Sequence, residues 1–222
     1  MNKKKLYLVI VISVVFFCIL LSSYIYIAKH NTNPIRAQGA SKYGKLLISP
    51  KTSEKQYRLD EISSFGNKGD YVFEGDYDVI YESKSGQKKI IQSLSNLKVI
   101  QSSRTVNLQK IEFPEFDLFV FTPQYSGSND VESYFFALTN EDAFLFNFEF
   151  NKASGNNDSS VSSIIPIISQ TKSEYKPKKQ GDNLIIKTTL NIGDNDLTLF
   201  EITFNPDLKN RIMKFISKSK LE

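Results

Sequence analysis

Along most of this chain, apolar residues come in short runs that alternate with polar ones and are cut by Gly, Ser, Asn and Asp. Alternation with a period of two is the signature of a strand with one buried face. It predicts strands at 43–49, 57–62, 71–81, 88–100, 105–113, 116–122, 132–139, 143–150, 161–169, 184–191 and 197–204. The separators carry turn chemistry, as in Ser85-Gly86, Thr139-Asn140-Glu141-Asp142 and Gly193-Asp194-Asn195-Asp196.

The plainest strand is 143–150, where Phe144, Phe146, Phe148 and Phe150 alternate with Leu145, Asn147 and Glu149. Four rings two residues apart share one face of a strand and would scatter around a helix. Residues 116–121 are apolar on both faces except at Asp117, which predicts a central strand. Glu132–Leu138 is expected to form a hairpin with the run that follows it.

Two segments depart from this period. Asn205-Pro206-Asp207 has the order of an N-cap, a first-turn proline and an acid at the positive dipole end. Leu208, Ile212, Phe215 and Ile216 follow at helical spacing, so the pattern predicts an amphipathic C-terminal helix. Its polar face would carry Lys209, Arg211, Lys214, Lys218 and Lys220, for capping the β domain or for resting on anionic lipid.

The other segment is Leu6–Ala28, 23 residues without a charge. At ~1.5 Å per residue a helix of that length reaches about 34 Å, enough for a ~30 Å hydrocarbon core. A cleaved signal has a shorter apolar core followed closely by a small-x-small site. Here the nearest such site, Ala37-Gln38-Gly39, stands nine residues beyond the run. Cys18 lies mid-span after bulky Val15-Phe16-Phe17, which does not suit lipid attachment. The segment reads as an uncleaved signal anchor in the lipid bilayer. Lys3, Lys4 and Lys5 before it outweigh Lys29 and Arg36 after it, so the N-terminus is expected in the cytoplasm and the remainder outside.

The predicted organisation is thus a basic tail at 1–5, a transmembrane signal-anchor helix at 6–28, a polar spacer at 29–42 and an extracytoplasmic β-rich domain at 43–222. The expected fold is mainly β: an antiparallel β-sandwich or partly open barrel with a C-terminal helix, preceded by a single transmembrane helix.

Composition changes this picture in two ways. The 222 residues include 28 Lys+Arg and 24 Asp+Glu, a formal net charge of +4. Three of the excess positive charges are the lysines of the N-terminal tail, so the ectodomain is nearly neutral and no nucleic-acid partner is expected. One Cys and one His exclude an intramolecular disulfide and any site built from several thiolates or imidazoles. His30, two residues past the apolar run, cannot serve a Ser-His-Asp triad in the β domain. A domain without thiols suits an oxidising exterior. The abundance of Lys, Asn, Ile and Ser suggests an AT-rich, Gram-positive bacterial source, where the sequon Asn157-Asp158-Ser159 would carry no sugar.

Candidate chemistry is confined to carboxylates. Asp70, Glu74, Asp76, Asp78 and Glu82 occupy alternate positions, so a strand would project them from one face. They form the tentative ligand-binding surface, with neighbouring tyrosines. Oxygen ligands of this kind suit Ca²⁺, although neither this run nor Asp194-Asn195-Asp196 has the order of a calcium loop. The plainer expectation is a solvated face, with Tyr71, Phe73, Tyr77, Val79 and Tyr81 turned inward. Residues 111–151 hold eight acids, no Lys or Arg, and most of the aromatic density. Pairs such as Glu112/Glu115 or Asp117/Glu149 could serve a glycoside hydrolase, although the chain has no Trp for sugar stacking. The reading that follows is a non-catalytic, membrane-anchored binding or assembly protein with a protein, peptide or cell-wall partner. The alternatives are a carboxylate-dependent surface hydrolase and an accessory subunit of a membrane complex.

Overall fold

The computed structural model describes residues 34–63, 66–125, 132–150, 160–162, 165–166, 177–191 and 197–221. The predicted membrane segment, Asn157-Asp158-Ser159 and Asp194-Asn195-Asp196 lie outside the described residues. Among those described, no helix is long and apolar enough to cross a membrane.

The strands are β1 (Ala37–Ser41), β2 (Gly44–Pro50), β3 (Lys55–Arg58), β4 (Tyr71–Glu82), β5 (Lys88–Gln101), β6 (Val106–Asn107), β7 (Gln109–Glu112), β8 (Asp117–Phe121) and β9 (Gln124–Tyr125). They continue as β10 (Glu132–Leu138), β11 (Ala143–Leu145), β12 (Asn147–Phe150), β13 (Ser160–Ser162), β14 (Ile165–Pro166), β15 (Lys178–Gln180), β16 (Asn183–Asn191), β17 (Leu197–Asp207) and β18 (Ile212–Lys220). They form three sheets. The first runs β6-β1-β2-β4-β5-β9, with β3 also on β4. The second runs β11-β10-β8-β7, with β14 on β10, and the third runs β13-β12-β18-β17-β16-β15. The mainly β, sandwich-like fold matches the expectation from alternation.

The second sheet is the middle layer. Phe119, Phe121, Tyr134, Phe136 and Leu138 pack with Leu46, Ile48, Phe73, Tyr77 and Val79 of the first sheet. The alternate residues Leu118, Val120, Phe135 and Ala137 pack with Leu184, Ile186, Phe200, Ile202 and Phe204 of the third. A sheet covered on both faces needs apolar residues at successive positions. This explains the aromatic run from Phe116 and the wholly buried β8. The described part of the acidic, aromatic block at 111–151 is therefore largely this double-sided layer. Edge-to-face ring pairs run from it into the third sheet: Phe135 meets Phe148 of the third sheet with centroids 5.0 Å apart, and Phe148 meets Phe204 within that sheet, also at 5.0 Å. Such pairs contribute about 0.5–1.5 kcal/mol each beyond area burial. On the other side the layers meet closely at Gly39, where an added Cβ would stand 2.3 Å from the Phe119 ring.

Three expectations are corrected. Residues 205–220 form no helix: they are the end of β17, a turn and β18, an antiparallel hairpin. The helix-start signals serve that turn, because Asp207 Oδ1 accepts the Asn210 amide at 3.0 Å and Oδ2 accepts Asn210 Nδ2 at 2.9 Å. Arg211, at φ 57°, completes the reversal. The apparent 3.6-residue spacing has a similar origin. Between the pairs Thr203↔Ser217 and Phe204↔Phe215 the register shifts, and the bulged Ile216 is 55% exposed. Phe215 packs on the core, so the two adjacent apolar residues are a bulge and not a helical stripe.

The run 143–150 is two strands. Phe146 lies between them, its amide on Phe135 O at 2.8 Å, while the Asn147 amide bonds Arg211 O at 3.0 Å. The chain passes from the second sheet to the third at that point. Phe144, Phe146 and Phe148 nevertheless share one core cluster, as the period requires. The fold also begins before Tyr43: β1 takes up residues assigned to the spacer and pairs with β2 and β6.

Candidate functional site

The predicted carboxylates are set out along β4. Its odd positions supply Phe73, Tyr77 and Val79 to the core, with Tyr71 and Tyr81 partly buried against it. Its even positions carry Glu74, Asp76, Asp78 and Glu82, while Asp70 precedes the strand in a turn where Oδ2 accepts the Asn67 amide at 2.9 Å. Register places a neighbour beside each. Glu82 lies between Lys45 (3.3 Å) and Lys88 (3.4 Å). Asp78 accepts the Ser93 hydroxyl at 2.6 Å, and Asp76 the Asn96 amide at 2.9 Å. Glu74 accepts Tyr57 Oη at 2.6 Å and lies 3.3 Å from Lys55 and 3.8 Å from Lys98.

These contacts shape the acidities. The Tyr57 hydrogen bond, assisted by Lys55 and Lys98 against some desolvation, holds Glu74 below the usual carboxylate value. Burial and the same hydrogen bond raise Tyr57 to about 12. Hydrogen bonding from Lys45, with help from Lys88, lowers Glu82. Glu74, Asp76, Asp78 and Glu82 alternate along β4 and keep separate partners, while Asp70 stands outside the strand. Among the described residues no group of three or more His, Cys, Asp or Glu side chains is placed to hold a metal ion.

Between the charged rows the same face carries an apolar one. Leu47, Ile80 and Ile90 are in register across β2, β4 and β5, and Ile90 is 56% exposed. The outer face of the first sheet thus carries alternating rows, Lys45–Glu82–Lys88, Leu47–Ile80–Ile90 and Ser49–Asp78–Ser93, of which Leu47 and Ser49 on β2 are buried and the β5 ends are the exposed ones.

The other predicted carboxylate pairs do not converge. Glu112 is 2.5 Å from Lys110 on β7. Glu115 is exposed in the β7–β8 turn. Asp117 is buried in β8 of the second sheet, and Glu149 is on β12 of the third. Glu115 and Asp182 do line an open cleft of about 300 Å³ with Phe113, Phe116, Pro206 and Leu208.

A buried polar network was not legible beforehand. Arg36 and Glu54 form a salt bridge in which Glu54 Oε1 accepts from both Nε and Nη2, with side chains only 6% and 8% exposed. Glu54 Oε2 accepts the Tyr77 hydroxyl at 2.9 Å, and the Arg36 guanidinium lies 4.0 Å over the Phe73 ring. Burial, then the Glu54 charge and hydrogen bond, push the Tyr77 phenol well above its ordinary value. Gly75 makes room for Glu54: a Cβ there would stand 3.3 Å from Glu54 Cβ. A glycine at a core-facing strand position was the only cue in the sequence. This network fixes the start of the fold and is not placed to meet a substrate.

No protein-family model matches the chain, and no curated protein or solved structure is significantly similar to it.

Proposed function

We propose that this protein is a non-catalytic binding or assembly module, held at the outer surface of the membrane by a helix over residues 6–28. The uncharged 23-residue run and the lysines before it support the anchor and its orientation. The outer face of the first sheet carries the binding part of the reading. Its rows are fixed by register, Glu74 and Glu82 are paired with lysines, and Ile90 stands 56% exposed at the β5 end of the apolar row. A wide, shallow surface of mixed rows suits a macromolecule better than a small substrate, which favours a concave pocket. A protein or cell-wall partner is therefore the natural ligand.

A photo-crosslinking residue at Ile90 in the full chain tests this in intact cells. A discrete adduct from position 90, absent from the equally exposed position Ile216, is the expected result. Equal capture from both positions, or none from position 90, would sink the reading.

A further inference from the structure

Of the four arginines, Arg36 holds Glu54 and Arg211 holds Asp142. Arg58 and Arg104 hold no carboxylate among the described residues, and both approach the same side chain. Their Cζ atoms lie 3.7 Å and 5.6 Å from the centroid of the Tyr71 ring. Arg104 foremost, with Arg58, holds the Tyr71 phenol below its ordinary pKa. Two like charges gathered around one phenol, with no anion of the described chain against them, make an uncompensated cationic site.

The site is held in place from behind. Arg58 is the β3 residue opposite Tyr71, and its Nη1 donates to Gly69 O at 2.5 Å. The loop carrying Arg104 is pinned by the buried network. Arg104 O accepts from Arg36 Nη1 at 3.2 Å and from Gln101 Nε2 at 3.0 Å. Thr105 Oγ1 donates to Ile35 O at 2.6 Å. The guanidinium groups are thus carried by fixed backbone while remaining exposed.

We propose that Arg58, Arg104 and the Tyr71 hydroxyl bind a phosphate group. Planar guanidinium groups offer paired N–H donors that match phosphate oxygens, and two positive charges suit phosphate better than a single carboxylate. The Tyr71 hydroxyl beside them has a proton to donate to a phosphate oxygen. The source is either free phosphate or the phosphodiester of a polymer or lipid headgroup. The site uses none of the outer-face rows, so it stands apart from the reading above.

Calorimetric titration of the full chain in neutral detergent tests it, with inorganic phosphate in one arm and glycerophosphoglycerol in the other. Chloride at matched ionic strength is the blank. Saturable binding at one site per chain is expected, weakened at least tenfold by Arg58→Gln or Arg104→Gln and left unchanged by Lys178→Gln on the exposed β15. Unaltered urea midpoints in the two arginine variants would show that they fold. Tighter binding of the diester assigns the polymer or headgroup, and tighter binding of inorganic phosphate assigns the free ion. Absence of saturable binding in both arms, or wild-type binding by the arginine variants, overturns the proposal.

Discussion

Glu54→Ala tests the buried network most severely. The substitution leaves the Arg36 guanidinium without its counter-charge in a site where that side chain is 6% exposed. It also removes the acceptor of the Tyr77 hydroxyl. Breaking a buried ion pair from one side costs about 3–5 kcal/mol, and an orphaned buried hydroxyl adds roughly 1–3 kcal/mol. Against a typical domain stability of about 5–15 kcal/mol, this is a large fraction. Urea unfolding of the full chain, followed by the near-ultraviolet tyrosine signal, would report a midpoint far below wild type. The double variant Arg36→Met/Glu54→Leu removes both charges and keeps the volume. It should recover most of the loss, since an apolar pair of similar size is often neutral or better. A cost for Glu54→Ala below about 1 kcal/mol would show that water reaches the pair. Failure of the double variant to recover would show that Arg36 acts chiefly through Phe73 and the Arg104 carbonyl.

Other outcomes follow from the layers. Gly39→Val drives a side chain into the Phe119 ring, where even a Cβ would stand at 2.3 Å; overpacking of this kind costs about 1–3 kcal/mol, read as a lower thermal midpoint. Asp142 joins the three sheets, lying 3.0 Å from Lys89 on β5 and 3.0 Å from Arg211 beside β18, so Asp142→Asn should cost about 1 kcal/mol at neutral pH. Burial pushes the Asp142 carboxyl up, but the Lys89 hydrogen bond, the Ala143 amide and the two cations outweigh it and hold the group below its ordinary value. A carboxyl depressed on folding stabilises above its unfolded value of about 4 and loses that contribution as pH falls through the folded one. The gap between wild type and Asp142→Asn should therefore be widest near pH 7 and close as the pH falls below the ordinary carboxylate range in pH-dependent melts; a constant gap would refute the ion bridge. Ile216→Lys replaces an exposed bulge residue and should leave the melt within ~0.5 kcal/mol of wild type, whereas a helix using that residue for packing would lose far more.

Strands with a buried and a wet face could be read from the sequence because burial imposes a period of two. β4, β5, β10 and the double-sided β8 follow directly from it. Local signals failed where one chemistry serves two structures. Asn205-Pro206-Asp207 would cap a helix, yet Asp207 closes a hairpin turn on Asn210 by the same kind of hydrogen bond. The spacing of Phe215 and Ile216 mimics a helix because a bulge shifts the alternation by one residue. The expected row of five carboxylates is four on β4, with Asp70 in the preceding turn, and their partners come from β2, β3 and β5, which only register brings near. Arg36 and Glu54 look in the sequence like any solvated charges. Their burial depends on contacts across 18 residues and on the space left by Gly75. The pairing of Arg58 with Arg104 around Tyr71 likewise needs the β3–β4–β5 register.

Cysteine accessibility tests most directly the proposed placement of the β domain outside the membrane. Ser85, exposed in the β4–β5 turn, is replaced by Cys in a chain whose only native thiol is removed by Cys18→Ser. A membrane-impermeant maleimide added to intact cells should label this chain fully, with no gain on permeabilisation. Labelling that appears only after the membrane is opened would place the domain on the inner side and contradict the account.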